Sequence, residues 1–138
     1  MADALQPLYP WMHLLGRIAF SAIFIASGLT HLFKLEQVAG YAAANGVPAP
    51  KVATVVTGIM ILVGGLMVLL GWRRFIGAGL LVIFLPIVAV MIHAFWRRDD
   101  PMARANEQAH FMKNVALAGA ALLVAFWAGD SWPMSLSG

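Results

Sequence analysis

Four apolar runs, at residues 11–33, 52–72, 75–96 and 110–128, fill almost all of a 138-residue chain and fix the solvent it can fold in. Each is close to the ~20 residues an α-helix needs to cross a hydrocarbon layer about 30 Å thick. A core helix of a water-soluble protein carries polar residues every turn on its outer face, and these runs do not. The totals agree, with 62% hydrophobic and 11% charged residues. An open sheet is excluded, because unpaired backbone groups cannot face lipid. The expected fold is all-α: a four-helix transmembrane bundle with short interfacial helices. It forms a single transmembrane domain over 1–138, with helices near 11–33, 52–72, 75–96 and 101–128.

The same pattern excludes several functions. The longest connections, about 34–51 and 97–109, are too short for a separately folded catalytic domain. There is no cysteine, which removes thiolate nucleophiles, disulfide exchange, iron–sulfur ligation and Cys-based zinc sites. Carboxylates are scarce, and Glu36, Asp99, Asp100 and Glu107 all fall outside the apolar runs, so a paired-acid or di-iron site is not expected, nor any metal. A net charge of +3 in such a chain serves orientation and contact with anionic lipid headgroups, not nucleic acid. The N-terminal residues lack a basic region and no small-residue cleavage site follows 11–33, so the first run is expected to be a retained helix.

Punctuation along the chain places the elements. Residues 35–44 read as a short interfacial helix stopped by Asn45-Gly46, and Val47-Pro48-Ala49-Pro50 reads as an extended turn. Gly58, Gly64 and Gly65 in the second run permit close helix contacts. Trp72-Arg73-Arg74 makes the second and third helices antiparallel neighbours, and Pro86 should kink the third. Asp99-Asp100-Pro101 reads as a capped helix start. The tail 131–138 is expected to fray. Four crossings put both termini on one side. The opposite side holds Lys34, Lys51, Arg97, Arg98, Arg104 and Lys113, which favours it as cytoplasmic and the termini as external.

The residues that could carry chemistry gather on a few faces. On a helical wheel His13, Arg17, Ser21, Phe24, Gly28 and His31 form one stripe of the first helix. Three readings of Arg17 stand beside one another: snorkelling to the near interface, anchoring an anionic or quinone-like headgroup, or joining an internal hydrogen-bond network. At the other end His31, His93 and His110 fall at one membrane boundary, each followed within about one turn by Lys34, Arg97 or Lys113. His110 and Asn114 share a face. The plain reading is three polar residues capping helix ends. The functional reading is one polar pocket between the first, third and fourth helices, with Phe95, Trp96 or Phe111 as walls. The candidate binding residues are thus Arg17, His31, His93, His110, Lys113 and Asn114, with a quinone as the candidate cofactor. A bis-histidine haem on His31 and His93 is the weaker alternative, since both sit at helix ends.

Ordered pieces of the chain resemble the DoxX family of small bacterial membrane proteins. They are Gly16-Arg17, Ser27-Gly28, Gly40-Tyr41, Gly46-Val47-Pro48-Ala49-Pro50, Gly64-Gly65-Leu66, His93-Ala94-Phe95-Trp96 and the stretch from His110 to Leu117. The resemblance implies a four-helix bundle in the bacterial inner membrane. It also implies kinship with a small subunit of a thiosulfate:quinone oxidoreductase and with membrane partners of redox or detoxification proteins. Related sequences often place a glutamate three residues before the Gly-Gly pair; this chain has Ile61 there, so a buried Arg17–carboxylate pair is not formed that way. The expected function is an accessory subunit of a quinone-linked membrane redox assembly, with membrane lipids and a larger membrane complex as partners. The competing readings are a self-contained quinone- or cofactor-binding oxidoreductase and a structural assembly subunit.

Overall fold

The computed structural model describes residues 5–127 and 132–136, all helical or irregular, with no strand among the described residues. The helices are α1 (Tyr9–Phe33), α2 (Leu35–Ala44), α3 (Pro50–Leu70), α4 (Arg74–Met91) and α5 (Pro101–Ala125), with short 3₁₀ turns at Gln6–Leu8 and Phe95–Arg97. Three segments, Gln6–Phe33, Pro50–Leu70 and Arg74–Arg97, are long and apolar enough to cross a membrane. In α5 the first half carries Arg104, Glu107, His110 and Lys113, which lowers its hydropathy. It nonetheless runs the height of the bundle. It begins beside His93 and Tyr41, at the far end of α1 and α3, and leads to Trp127, whose ring lies 5.9 Å from His13 near the start of α1.

The ends of the helices follow local chemistry. α2 and α3 both close in Schellman turns around a left-handed glycine. Gly46 (φ 79°) donates to the Ala43 carbonyl while Val47 donates to Ala42. Gly71 (φ 62°) donates to Val68 while Trp72 donates to Met67. Asp100 caps α5, its Oδ2 accepting the Ala103 N–H at 2.7 Å, with Pro101 just inside. The turn at 47–50 is not simply extended: Ala49 adopts a left-handed conformation, φ 45°, to set Pro50 at the first position of α3.

Glycine on α3 faces two directions and so joins two neighbours. A Cβ at Gly58 would lie 2.7 Å from His31 Cβ, and one at Gly65 would lie 3.0 Å from Phe24 Cβ, so both glycines seat α1. A Cβ at Gly64 would lie 3.0 Å from the Gly77 carbonyl, so this glycine seats α4. All three therefore stand at close helix contacts, as packing in lipid favours. α4 then packs on α5. The apolar core joins Phe24, Ile61, Val68, Ala78, Leu81, Leu85 and Ala121 with Trp132. Ile61 is fully buried in that core.

Three boundaries differ from the sequence reading. The third apolar run ends its helix at Met91, not near 96, because the chain breaks at Ile92-His93 before the 3₁₀ turn. The tail is not frayed where it is described. Trp132 is 5% exposed, and the Leu136 N–H donates to the Leu70 carbonyl at 2.9 Å, so residues 132–136 fold back across the end of the bundle. The last helix ends at Ala125, short of the expected 128, where Phe126 donates to the Leu122 carbonyl as its cap; residues 128–131 lie outside the described residues.

A candidate apolar cavity with a histidine–carboxylate dyad

At the end opposite Trp132 a cavity of about 360 Å³ opens between α1, α2, α3 and α4. Its wall is mostly aliphatic, with Val38, Val47, Ile87 and Met91 among the lining residues and Phe84 as the ring. Polar groups enter at a few points only: His31, Tyr41, Thr54, Thr57 and His93. Each is placed by its own backbone. His31 is on the last turn of α1, where its Nδ1–H donates to the Ser27 carbonyl at 2.7 Å. A carbonyl can only accept, so Nδ1 carries the proton and Nε2 is left as the acceptor of the neutral ring. Thr57 donates to the Ala53 carbonyl at 2.7 Å, which leaves its lone pairs.

His93 sits just past α4, in the chain break, and this lets its ring reach α5. Its Nδ1 lies 2.8 Å from Glu107 Oε2. Both side chains are largely buried, 14% and 12% exposed, so the carboxylate and imidazole form a dyad screened from water. The other carboxylate oxygen, Oε1, accepts from Tyr41 at 3.4 Å and from Arg98 at 3.5 Å, and Arg98 also donates to Asn45 Oδ1 at 3.0 Å. Burial raises the Tyr41 phenol above its ordinary pKa, and the neighbouring Glu107 charge adds to that rise. One carboxylate thus ties together α2, α5 and the loop after α4.

The sequence-derived candidates divide between two ends of the molecule. His31 and His93 share the cavity. His110 stacks on His93, ring centres 5.0 Å apart and 20° between planes, and accepts from Lys113 Nζ at 3.2 Å, but neither His110 nor Lys113 lines the cavity. Asn114 is buried, one turn further along the same face of α5, with no partner for its Nδ2 among the described residues. The cavity is bounded by α3 and α2 rather than by α5, since Val38, Tyr41 and Ala42 of α2 and Ala53, Thr54 and Thr57 of α3 line it and no residue of α5 does. Phe95, Trp96 and Phe111 are not its walls; they pack edge-to-face with one another at 5.1–5.8 Å.

Arg17 lies at the other end. It is 4% exposed, and its Nη2 donates to the carbonyls of Pro133 at 3.0 Å and Met134 at 2.8 Å. It turns inward onto the folded-back segment rather than out to water. The residue that sequence reasoning missed is Glu107. It falls outside the apolar runs, yet Glu107, His110 and Asn114 recur at the i, i+3, i+7 spacing of one inward face of α5. Among the described residues no three His, Asp or Glu side chains gather into a metal set.

Comparison with known proteins gives this architecture its relatives. A curated relative, the inner membrane protein YphA of Escherichia coli (strain K12), is 30% identical over 116 residues, covering 84% of this chain and 82% of its own. No solved structure matches. The relative's name places it in the inner membrane, and three apolar membrane-length helices make the present chain a multi-pass membrane protein of the same kind. The DoxX family pattern matches residues 12–94, from the first turn of α1 through the cavity histidine at the end of α4, and the chain belongs to the DoxX family.

Proposed function

We propose that this DoxX-family protein is a membrane subunit that holds a quinone-type ring in the cavity between α1, α2, α3 and α4 on behalf of a larger redox assembly. The observation that carries the reading is the cavity: about 360 Å³, aliphatic, at the membrane boundary, with two imidazoles on its wall and a buried carboxylate behind one of them. Sites for small apolar ligands have volumes of roughly 300–1,000 Å³ and a small number of placed polar groups. A lipid-soluble ring would reach the site from the bilayer, and its ring oxygens would find their partners in His31, His93, Thr54 and Thr57.

The chain's own groups suit a ligand that gains and loses protons. Neutral His31 presents an acceptor for the hydroxyl of a reduced ring; protonated, it presents a donor to the carbonyl of an oxidised one. The Glu107 carboxylate links the His93 ring through Arg98 to Asn45 at the polar surface. Electrons come from the partner subunit. The basic residues around this end favour it as the cytoplasmic side.

Photolabelling of the purified protein with an azido-ubiquinone in mild detergent tests the reading. Label is expected on α3 and α4 near Thr57 and Ile87. It should be abolished by Thr57→Trp, which fills the cavity, and weakened by His93→Leu. Labelling that is spread over the lipid-facing surface, or that persists unchanged in Thr57→Trp, would refute the site.

A further inference from the structure

We propose that Arg17 is the centre of an oxyanion-binding site at the opposite end of the bundle, and that residues 132–136 form a strap that competes with the anion for it. A guanidinium has five N–H donors in a rigid fork. In Arg17 only one nitrogen is used: Nη2 meets two carbonyls, while Nε and Nη1 are buried with no partner among the described residues. Neutral carbonyls leave the charge uncancelled, and none of the ion pairs among the described residues involves Arg17. A buried cation that is half bonded and unpaired is costly unless a counter-charge comes to it.

The surroundings supply donors and positive charge. The Trp132 ring lies 5.6 Å from the Arg17 guanidinium carbon and 5.4 Å from that of Arg74, so two cations flank one indole. The buried indole Nε1 also lacks a partner among the described residues. The Arg17 Nε and Nη1 donors and the indole N–H form a donor set suited to phosphate or carboxylate oxygens, and Arg74, which donates to the Trp127 carbonyl, adds positive charge beside it. Exposed Trp11, Trp72 and Trp127 mark this end as the headgroup level. The phosphodiester of a lipid and a free phosphate from water share the required chemistry.

The strap holds the place of that anion. Its two carbonyls stand at Nη2 as oxyanion oxygens would. It is pinned by the Leu136 N–H to the Leu70 carbonyl and by the Ser135 hydroxyl to the Trp132 carbonyl at 2.8 Å. It fits only because position 71 is glycine; a Cβ there would collide with Ser135 Cβ and lie 2.6 Å from Arg17 Nη1.

The test measures thermal stabilisation of the full-length protein in a neutral maltoside. One arm titrates inorganic phosphate against chloride at matched ionic strength. The other titrates phosphatidylglycerol against phosphatidylcholine in mixed micelles. A saturable rise is expected in at least one arm, and the arm that responds identifies the source. Arg17→Gln should weaken it by about tenfold or more, the scale of hydrogen bonds to a charged group. Leu136→Pro deletes one strap bond without touching Arg17 and should tighten binding several-fold. Should Arg17→Gln fail to fold, Arg17→Lys keeps charge without the fork and should still weaken binding. No saturable response in either arm, or equal responses from wild type and the Arg17 variant that folds, overturns the site. Leu136→Pro binding no more tightly than wild type overturns the competition. The cavity at the far end is untouched by any of these results.

Discussion

Replacing Gly28 with alanine gives a sharp test of how α1 and α3 are held together. The added Cβ would stand 2.7 Å from Leu62 Cβ, 2.9 Å from the Gly58 carbonyl oxygen and 3.0 Å from Leu62 Cα. Carbon atoms rest at roughly 3.5–4.0 Å, so the shortfall is about 0.8 Å. Two of the three obstacles are backbone and cannot rotate aside; the helices must part. A gap of that size forfeits about a third of the dispersion energy of the contacts it opens. About 50 contacts at ~0.15 kcal/mol each then lose about 2.5 kcal/mol. Alanine returns up to about 1 kcal/mol in helix propensity. The net expectation is destabilisation by about 1.5 kcal/mol. Gly79→Ala is the matched control: nothing lies within 4 Å of its Cβ position, so only the propensity gain applies. Unfolding titrations in mixed micelles, followed by circular dichroism, should move the two variants in opposite directions. Gly28→Ala as stable as wild type, or shifted like Gly79→Ala, would refute the close-packed seam.

Two further outcomes follow from the polar end. Asp100→Ala should remove about 1 kcal/mol of capping from α5, read as faster amide exchange confined to its first turn, at Ala103 and Arg104. Tyr41 keeps its phenol proton above the ordinary value of 10.0, so above that pH the unfolded chain ionises first and stability falls as pH rises. In Glu107→Gln on a Tyr9→Phe background, the Tyr41 phenolate absorbance should appear at lower pH than in the parent, because the repelling carboxylate is gone.

What the sequence made legible was whatever depends on one helix at a time. Run length gave the membrane helices, and the wheel of α1 put Arg17, Ser21, Phe24 and Gly28 on one face, all four of which are buried. Asn45-Gly46 and Asp100-Pro101 announced their caps because capping is local chemistry. The depth of His31 and His93 followed from counting along antiparallel neighbours. What stayed hidden needed tertiary contact. Glu107 finds its partners only across the fold, in His93 past the break at Ile92-His93, Tyr41 of α2 and Arg98. The cavity's walls come from four separate helices, α1 to α4, that only the folded bundle brings together, and the α1–α3 seam is set where Gly28 meets Gly58. Trp132 lies in a short polar tail, and only the shape of the bundle's end explains its burial.

The two carbonyls that Arg17 grips come 116 and 117 residues later in the chain. At synthesis rates of about 5–20 residues per second, α1 waits roughly 6–23 s with its guanidinium unmet by them. For that interval the nascent protein carries at membrane depth a guanidinium that lacks these two carbonyls. Arrival of the strap gives Nη2 its partners and leaves the charge itself in place. The contact therefore also records that synthesis has passed residue 134, and a chain stalled before residue 133 would hold the guanidinium without either carbonyl.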